Sequence, residues 1–338
     1  MAVGMIYWEE SRMQSRLSEE KAFHRAIYAN GGNKLTSKLK RLNSYHAFGI
    51  EQIAPIGKSL SHTPVNIFPT KTLTAPQLSP QNYGLKSQRK HLMAHSRFSP
   101  SASKRWMSCP ASIQLAESIP FVMDTTRPAA QGTLVHHMVE MLLKDRLENV
   151  SLSDYWLGRE EEIDGFNIEV TKEMVSCAEQ YVHYVQTRLE ELDGRLLIEE
   201  KVNIDEISSE CWGTVDALVL GKKSNRIAVI DLKSGKFPVD VINNEQLMIY
   251  GLGALSRYGD ENTTVELTIV QPTSFHRDGK IRSWDISAEN LVEWGFDILK
   301  PAIEACLEET PVFNPGKNQC RFCRAKDICN SFKQSEVN

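Results

Sequence analysis

Two aspartates and a lysine raise the first chemical question. Asp216 ends the string "GTVD", Asp231 opens "DLK", and Lys233 stands two positions later. The whole stretch, "CWGTVDALVLGKKSNRIAVIDLK", is two apolar runs joined by Gly, Lys, Ser and Asn, which suit a hairpin turn. A hairpin symmetric about that turn sets Asp216 and Asp231 opposite each other. Directly opposed side chains lie about 5 Å apart, where like charges repel. Side chains alternate along a strand, so Lys233 shares the face of Asp231. Such a face is unfavourable unless a cation fills it, and oxygen ligands favour Mg²⁺ or Mn²⁺. An ion held this way can bind a phosphate oxygen and acidify a water. A nearby Lys can orient that water or stabilise charge in the transition state. This is equipment for hydrolysing a phosphodiester. On spacing alone, Asp231 and Lys233 fit a surface ion pair equally well.

Other polar residues could join them. Gln246 and Tyr250 in "EQLMIYGLGAL" lie one helical turn apart on one face, where they suit holding a phosphate backbone or a water, or form ordinary helix surface. His136 and Glu140 are also one turn apart, beside the apolar stripe of "AAQGTLVHHMVEMLLKDRL"; a lone His there is more often a satisfied, partly buried residue. The "GLGA" string lies inside a helical pattern and lacks the third Gly of a dinucleotide loop, so it reads as close helix packing.

The seven cysteines are 109, 177, 211, 306, 320, 323 and 329. An odd number in a chain of this length argues against a disulfide framework. Cys320, Cys323 and Cys329 form C-x₂-C-x₅-C, three thiolates in need of a fourth for a zinc ion or a four-iron cluster. Cys109, in the polar, Pro-flanked "WMSCPAS", is the best candidate. Cys177 lies on an apolar helical stripe, and Cys211 and Cys306 read as structural. Spacing does not separate iron–sulfur from zinc.

The elements that must position these groups follow from periodicity. Helices are expected after Pro110, over "AAQGTLVHHMVEMLLKDRL", at 169–192 (stripe Met174, Cys177, Ala178, Tyr181, Val185, Leu189), at 243–257 and at 288–308. Strands are expected near 195–204, 211–220, 226–233, 264–270 and 280–286. Helices followed by a strand cluster with an inserted helix make an α/β or α+β domain.

Charge divides the chain. Residues 1–93 carry 13 Lys and Arg against 5 Asp and Glu, and the remainder 26 against 38. Residues 6–29 suit an amphipathic helix stopped by Gly31-Gly32. From Asn33 to Leu92 the only acid is Glu51, and five prolines break any period, so 1–93 read as a basic, largely disordered extension. It is a candidate for touching nucleic acid or a tail without function. Met93 is an alternative start. No apolar run approaches the ~20 residues of a membrane span, and the polar, acidic N-terminus does not read as a signal or transit peptide, so a cytoplasmic location is expected.

Taken in order, "GTLVH", "GTVD", "DLK" and "QLMIY" resemble the RecB-type branch of the PD-(D/E)XK nuclease superfamily. One cysteine well before them and three clustered after resembles the iron–sulfur branch, which includes the CRISPR-associated exonucleases and AddB-type helicase–nucleases. The strings "SPSASKRWMSCPAS", "DLKSGKFPVDVINNEQLMIYGLGAL" and "FNPGKNQCRFCRAKDIC" are more similar still to a nuclease-like family of unknown function common in phages and prophages. The resemblance spans about Ala94 to Phe332. It implies an α/β, restriction-endonuclease-like core over 94–338, a central mixed sheet flanked by helices, with a C-terminal cysteine-rich iron–sulfur staple. It implies that His136, Asp216, Asp231 and the carbonyl of Leu232 hold Mg or Mn, and that Lys233 is catalytic. Gln246 and Tyr250 would contact DNA and support the Lys. Cys109, Cys320, Cys323 and Cys329 would hold a [4Fe–4S] cluster, with zinc as the alternative. Glu140 and Glu200 are lesser candidates for supporting roles. The activity implied is a metal-dependent DNA nuclease, an exonuclease on single strands or DNA ends, working with recombination or phage replication proteins. The alternative is an inactive nuclease-like subunit that binds nucleic acid. Two features depart from the pattern: no Pro precedes Asp216, and residues 1–93 have no counterpart. The acidic balance of 94–338 is also unusual for a nucleic-acid binder. Local basic clusters at Lys104-Arg105, Lys222-Lys223 and Lys317 to Lys326 offset it.

Overall fold

The run "RIAVIDL" has no polar face, as a strand covered on both sides requires. The computed structural model describes residues 96–120, 125–144 and 155–336. The expected extension over 1–93, including the helix at 6–29, lies outside the described residues. Ahead of the sheet come α1 (Ser103–Ser108), α2 (Ala111–Glu117), α3 (Arg127–Leu143) and α4 (Lys172–Glu191), with a hairpin, β1 (Glu160–Ile163) and β2 (Phe166–Glu169), before α4. Thr126 and Thr171 cap α3 and α4 by accepting from Ala129 N and Met174 N.

The main sheet runs β3 (Gly194–Ile204), β4 (Ser208–Gly221), β5 (Arg226–Leu232), β6 (Thr264–Val270) and β7 (Ile281–Ser287), in that spatial order. All neighbours are antiparallel except β5 and β6, which are parallel and joined through α5 (Glu245–Tyr258). The sheet is therefore mixed, and β5 is its central strand. After β7 come α6 (Ala288–Trp294), α7 (Lys300–Leu307), α8 (Lys317–Cys320) and α9 (Asn330–Glu336).

Each face of the sheet is covered by helices. On one, Leu134, Val135 and Met138 of α3 and Met174, Cys177, Ala178, Tyr181 and Val185 of α4 pack with Ala217, Val219, Ala228 and Ile230. The stripe expected for the 169–192 helix is thus the buried one. On the other, Leu247, Leu252 and Leu255 of α5, with α6 and α7, pack with Leu218, Val229, Leu267 and Ile269. No helix among the described residues is long and apolar enough to cross a membrane.

Two expectations need correction. The single helix at 288–308 is three pieces, with a π turn at Gly295–Leu299 between α6 and α7. Pro301 has no N–H to give the regular ladder, which explains the interruption there. The β1–β2 hairpin was not expected, although Asp164-Gly165 is a strong turn dipeptide; both residues have positive φ, 50° and 80°.

Candidate active site

Three acids line up across three neighbouring strands. The β4–β5 ladder runs from Leu220–Ile227 to Ala217–Ile230, and its next step sets Asp216 against Asp231, as the symmetric hairpin requires. The Leu232 N–H donates to Asp216 Oδ2 at 2.7 Å across that step. What Leu232 contributes here is its N–H. On the other side, β3 pairs Ile198 with Ala217 and Glu200 with Val215, so Glu199 falls opposite Asp216.

Glu199 is the functional candidate that sequence reasoning missed. Strict alternation puts residues 196, 198, 200, 202 and 204 on one face. Instead, Leu196 and Ile198 pack on the α3–α4 face, whereas Val202 and Ile204 pack on the α5 face. The change occurs at Glu199, whose φ is 53°, in the left-handed region. Glu200 is correspondingly turned away: it accepts from Arg257 (2.7 Å) and Tyr258 (2.6 Å) of α5, so its expected supporting role does not fit. Glu140 is engaged by Lys144 at 2.7 Å. A φ > 0 at a glutamate has no sequence signature, so nothing in "LLIEEKV" marked the first Glu over the second.

His136 reaches in from α3, with Nδ1 3.1 Å from Asp216 Oδ1. One ligand atom each from His136, Glu199 and Asp216 lie within 4.8 Å of one another, close enough to hold one ion. Asp231 is outside that trio because it is turned toward Lys233, whose Nζ is 2.8 Å from Asp231 Oδ2. That oxygen is buried, and the Lys233 ammonium is its partner. Lys233 Nζ donates to Gln246 Oε1 (3.0 Å), and Gln246 Nε2 donates to Asp231 Oδ1 (3.3 Å) and to Tyr250 OH (3.2 Å). All of the expected residues Asp216, Asp231, Lys233, Gln246, Tyr250 and His136 therefore belong to one constellation. Asn244, capping α5 through Leu247 N (3.1 Å), places Gln246 in the first turn, where the helix end favours negative charge. The Gly of "GTVD" also has a spatial reason. A Cβ on Gly213 would stand 2.7 Å from the Tyr250 ring and 2.8 Å from Pro100.

The electrostatics are those of a buried acid cluster with two basic groups set into it. Burial raises Asp231, Lys233 opposes this, and Asp216 adds to it; the net direction is upward. Asp216 goes the other way: burial would raise it, but His136 and the Leu232 N–H hold it below the usual carboxylate range. Burial, then the neighbouring Asp216, lift Glu199 to about 7. Burial disfavours charge on His136, but Asp216 outweighs it and lifts the imidazole to about 9. Like charges facing each other separate in this way. The carboxylate-rich donor set around Glu199 and Asp216 fits a hard divalent cation.

A second constellation joins the chain ends. Cys109, at the end of α1, and Cys320, Cys323 and Cys329 line one small cavity with Leu115, Phe313 and Phe332. None of the four is in a disulfide. Backbone N–H groups point at three of the sulfurs: Asn314 to Cys109 (3.4 Å), Gly316 to Cys320 (3.3 Å) and Phe332 to Cys329 (3.4 Å). Such donors favour thiolate ligands. Around them, Ala111 N donates to Val312 O (3.1 Å), Asn314 Nδ2 to Ser108 O (2.9 Å) and Arg324 to Ala116 O. Cys177, Cys211 and Cys306 are buried in the apolar cores, as expected.

The profile of a family described as "Protein of unknown function (DUF2800)" matches residues 95–338. Among solved structures, a Eubacterium rectale protein provisionally named an exonuclease is 12% identical, with a TM-score of 0.36, over 77% of this chain and 94% of that one. The protein SSO0001 is 14% identical, with a TM-score of 0.27, over 66% of this chain and 95% of that one. At these scores neither likeness bears on fold or activity.

Proposed function

The chain belongs to the DUF2800 family, and we propose that it is a metal-dependent nuclease that hydrolyses phosphodiester bonds in DNA, acting on single strands or ends. The observation that carries this reading is the Asp231–Lys233–Gln246 triangle set beside the cross-strand row Glu199, Asp216 and Asp231. A surface ion pair would not be buried, would not be held by a third side chain, and would not face a second carboxylate.

Asp216, Asp231, Glu199 and His136 would hold Mg²⁺ or Mn²⁺, which when bound neutralises charge on a phosphate oxygen and acidifies an attacking water. The other steps belong to the protein. Lys233 keeps its proton, since burial works against its charge but Asp231 raises it above the ordinary lysine range. Its ammonium is thus available to orient the water and to offset charge building on the phosphate. Gln246 holds both the Lys233 ammonium and the Asp231 carboxylate, and Tyr250 fixes Gln246. The first turn of α5 adds positive potential.

The four cysteines would hold a [4Fe–4S] cluster, or zinc in its place, as a staple. Closing a loop of some 200 residues constrains the unfolded chain substantially. Residues 1–93 would serve as a separate basic extension to this nuclease unit. A place in phage or bacterial recombination or repair rests on the family resemblance.

The test is cleavage of end-labelled single- and double-stranded DNA with Mg²⁺, Mn²⁺ or chelator. Wild type should cut only with metal and Lys233→Ala should not cut while still binding. Binding without cleavage by wild type would instead identify an inactive nucleic-acid-binding relative.

A further inference from the structure

The loop after Lys233 carries an aromatic ring outward on a firmly held backbone. Thr273 Oγ1 donates to Ser234 O (2.8 Å), Ser274 Oγ to Lys236 O (3.0 Å), and Gln271 Nε2 to Gly235 O (2.8 Å) and Phe237 O (2.7 Å). Gln271 Oε1 accepts from Val239 N (3.2 Å) and from Arg282 (2.8 Å), and both Gln271 and Arg282 are buried. On this frame Phe237 is 68% exposed. From the cysteine loop comes Phe322, 81% exposed. The Arg321 guanidinium joins the two, 4.2 Å from the Phe237 ring centre and 5.2 Å from that of Phe322. Beside them runs a groove of about 640 Å³ whose lining includes Lys317, Arg321 and Lys326 and no acid.

Single exposed apolar residues need no explanation. Here, two exposed rings share one cation, border a basic groove, and start four residues from Lys233. Four residues span at most about 14 Å, so the surface lies within a few nucleotides of the active site. Flat aromatic faces with a guanidinium, next to lysines for phosphates, are what a single strand needs: every unpaired base has a π-face to stack. A duplex keeps its bases stacked inside and offers none.

We propose that Phe237, Phe322 and Arg321 form a stacking surface for the unpaired bases of a single-stranded nucleic acid, whose phosphates run along Lys317 and Lys326. This rests on the nuclease reading and names the strand form that its substrate takes.

The test is fluorescence anisotropy of labelled oligo(dT), with oligo(U), a duplex and an abasic strand in parallel, in chelator so that binding is read without cleavage. The expected result is tight binding of a single strand, weakened about tenfold or more in Phe237→Ala/Phe322→Ala and kept in Phe237→Trp/Phe322→Trp. The abasic strand should bind wild type as weakly as the intact strand binds the double Ala variant. Unchanged melting of the Ala variant would show that the fold is intact, as expected for exposed positions. Equal affinity of wild type and the Ala variant, equal affinity for intact and abasic strands, or duplex bound as well as single strand would overturn the proposal. A wild type that cuts DNA while the Ala variant binds normally removes the stacking surface and leaves the nuclease; ring-dependent binding by a protein that never cuts removes the nuclease instead.

Discussion

Glu199 stands directly across the β3–β4 ladder from Asp216, in a register unbroken from Ile198 to Glu200, and its left-handed backbone changes the face that the residues after it take. The following residue, Glu200, is sent to the opposite face, onto Arg257 and Tyr258. Two adjacent glutamates thus have different fates, and the difference can be measured. Glu199→Gln should weaken divalent-metal affinity and cleavage by about ten- to a hundredfold. Glu200→Gln should leave both nearly unchanged. Metal titration with cleavage rates on both variants checks this; equal effects would mean that Glu199 is not a ligand.

The glycine of "GTVD" makes room for Tyr250. Gly213→Ala should destabilise the fold by about 1–3 kcal/mol, since overpacking displaces a buried ring. It should also slow cleavage, because Tyr250 would no longer hold Gln246 in place. Tyr250→Phe, which removes only the hydroxyl, should slow cleavage with little loss of melting temperature. Normal melting and normal rate in Gly213→Ala would show that the ring's position does not matter.

Metal should stabilise the protein more at high pH than at low. In the metal-free fold Glu199 is lifted from 4.5 to about 7 and His136 from 6.5 to about 9. Both folded values lie above the unfolded ones, so each contribution is complete below the unfolded value and is lost as pH rises through the folded value. Chelated protein should therefore lose stability between about pH 5 and pH 9. A divalent cation relieves the crowded carboxylates and needs His136 neutral. The melting-temperature gain on adding Mg²⁺ or Mn²⁺ should grow from pH 6 to pH 9, and a gain independent of pH would contradict the assignment of these ligands.

Purified without oxygen, the protein should be brown and contain iron and sulfide. Cys109→Ala and Cys320→Ala should lose the colour and melt at lower temperature, whereas Cys177→Ala should keep the colour. A colourless protein with one zinc would replace the cofactor without touching the nuclease reading. Wild-type melting in Cys320→Ala would show the cysteines to be idle.

Much of the site was legible because it uses short-range rules. The hairpin turn set the Asp216–Asp231 register, alternation put Lys233 beside Asp231, and one helical turn put Gln246 beside Tyr250. The helical stripe of α4 and the central strand β5 were likewise readable from periodicity. What was not legible depends on a break in periodicity: the parity change at Glu199 and the π turn ahead of Pro301. The Asp164-Gly165 hairpin did carry a signal, overshadowed by the acidic run around it. His136 could be placed on its helix, but only packing of α3 onto the sheet brings it to Asp216.

The central claim is that the acids of three strands converge on one divalent cation with Lys233 beside it. Anomalous diffraction from crystals grown with Mn²⁺ tests it most directly. The expected result is a peak within about 2.0–2.6 Å of oxygens from Asp216 and Asp231, with Glu199 or His136 completing the set. An active, Mn²⁺-soaked protein with no peak there, or with Asp216 and Asp231 turned to opposite sides, would contradict it.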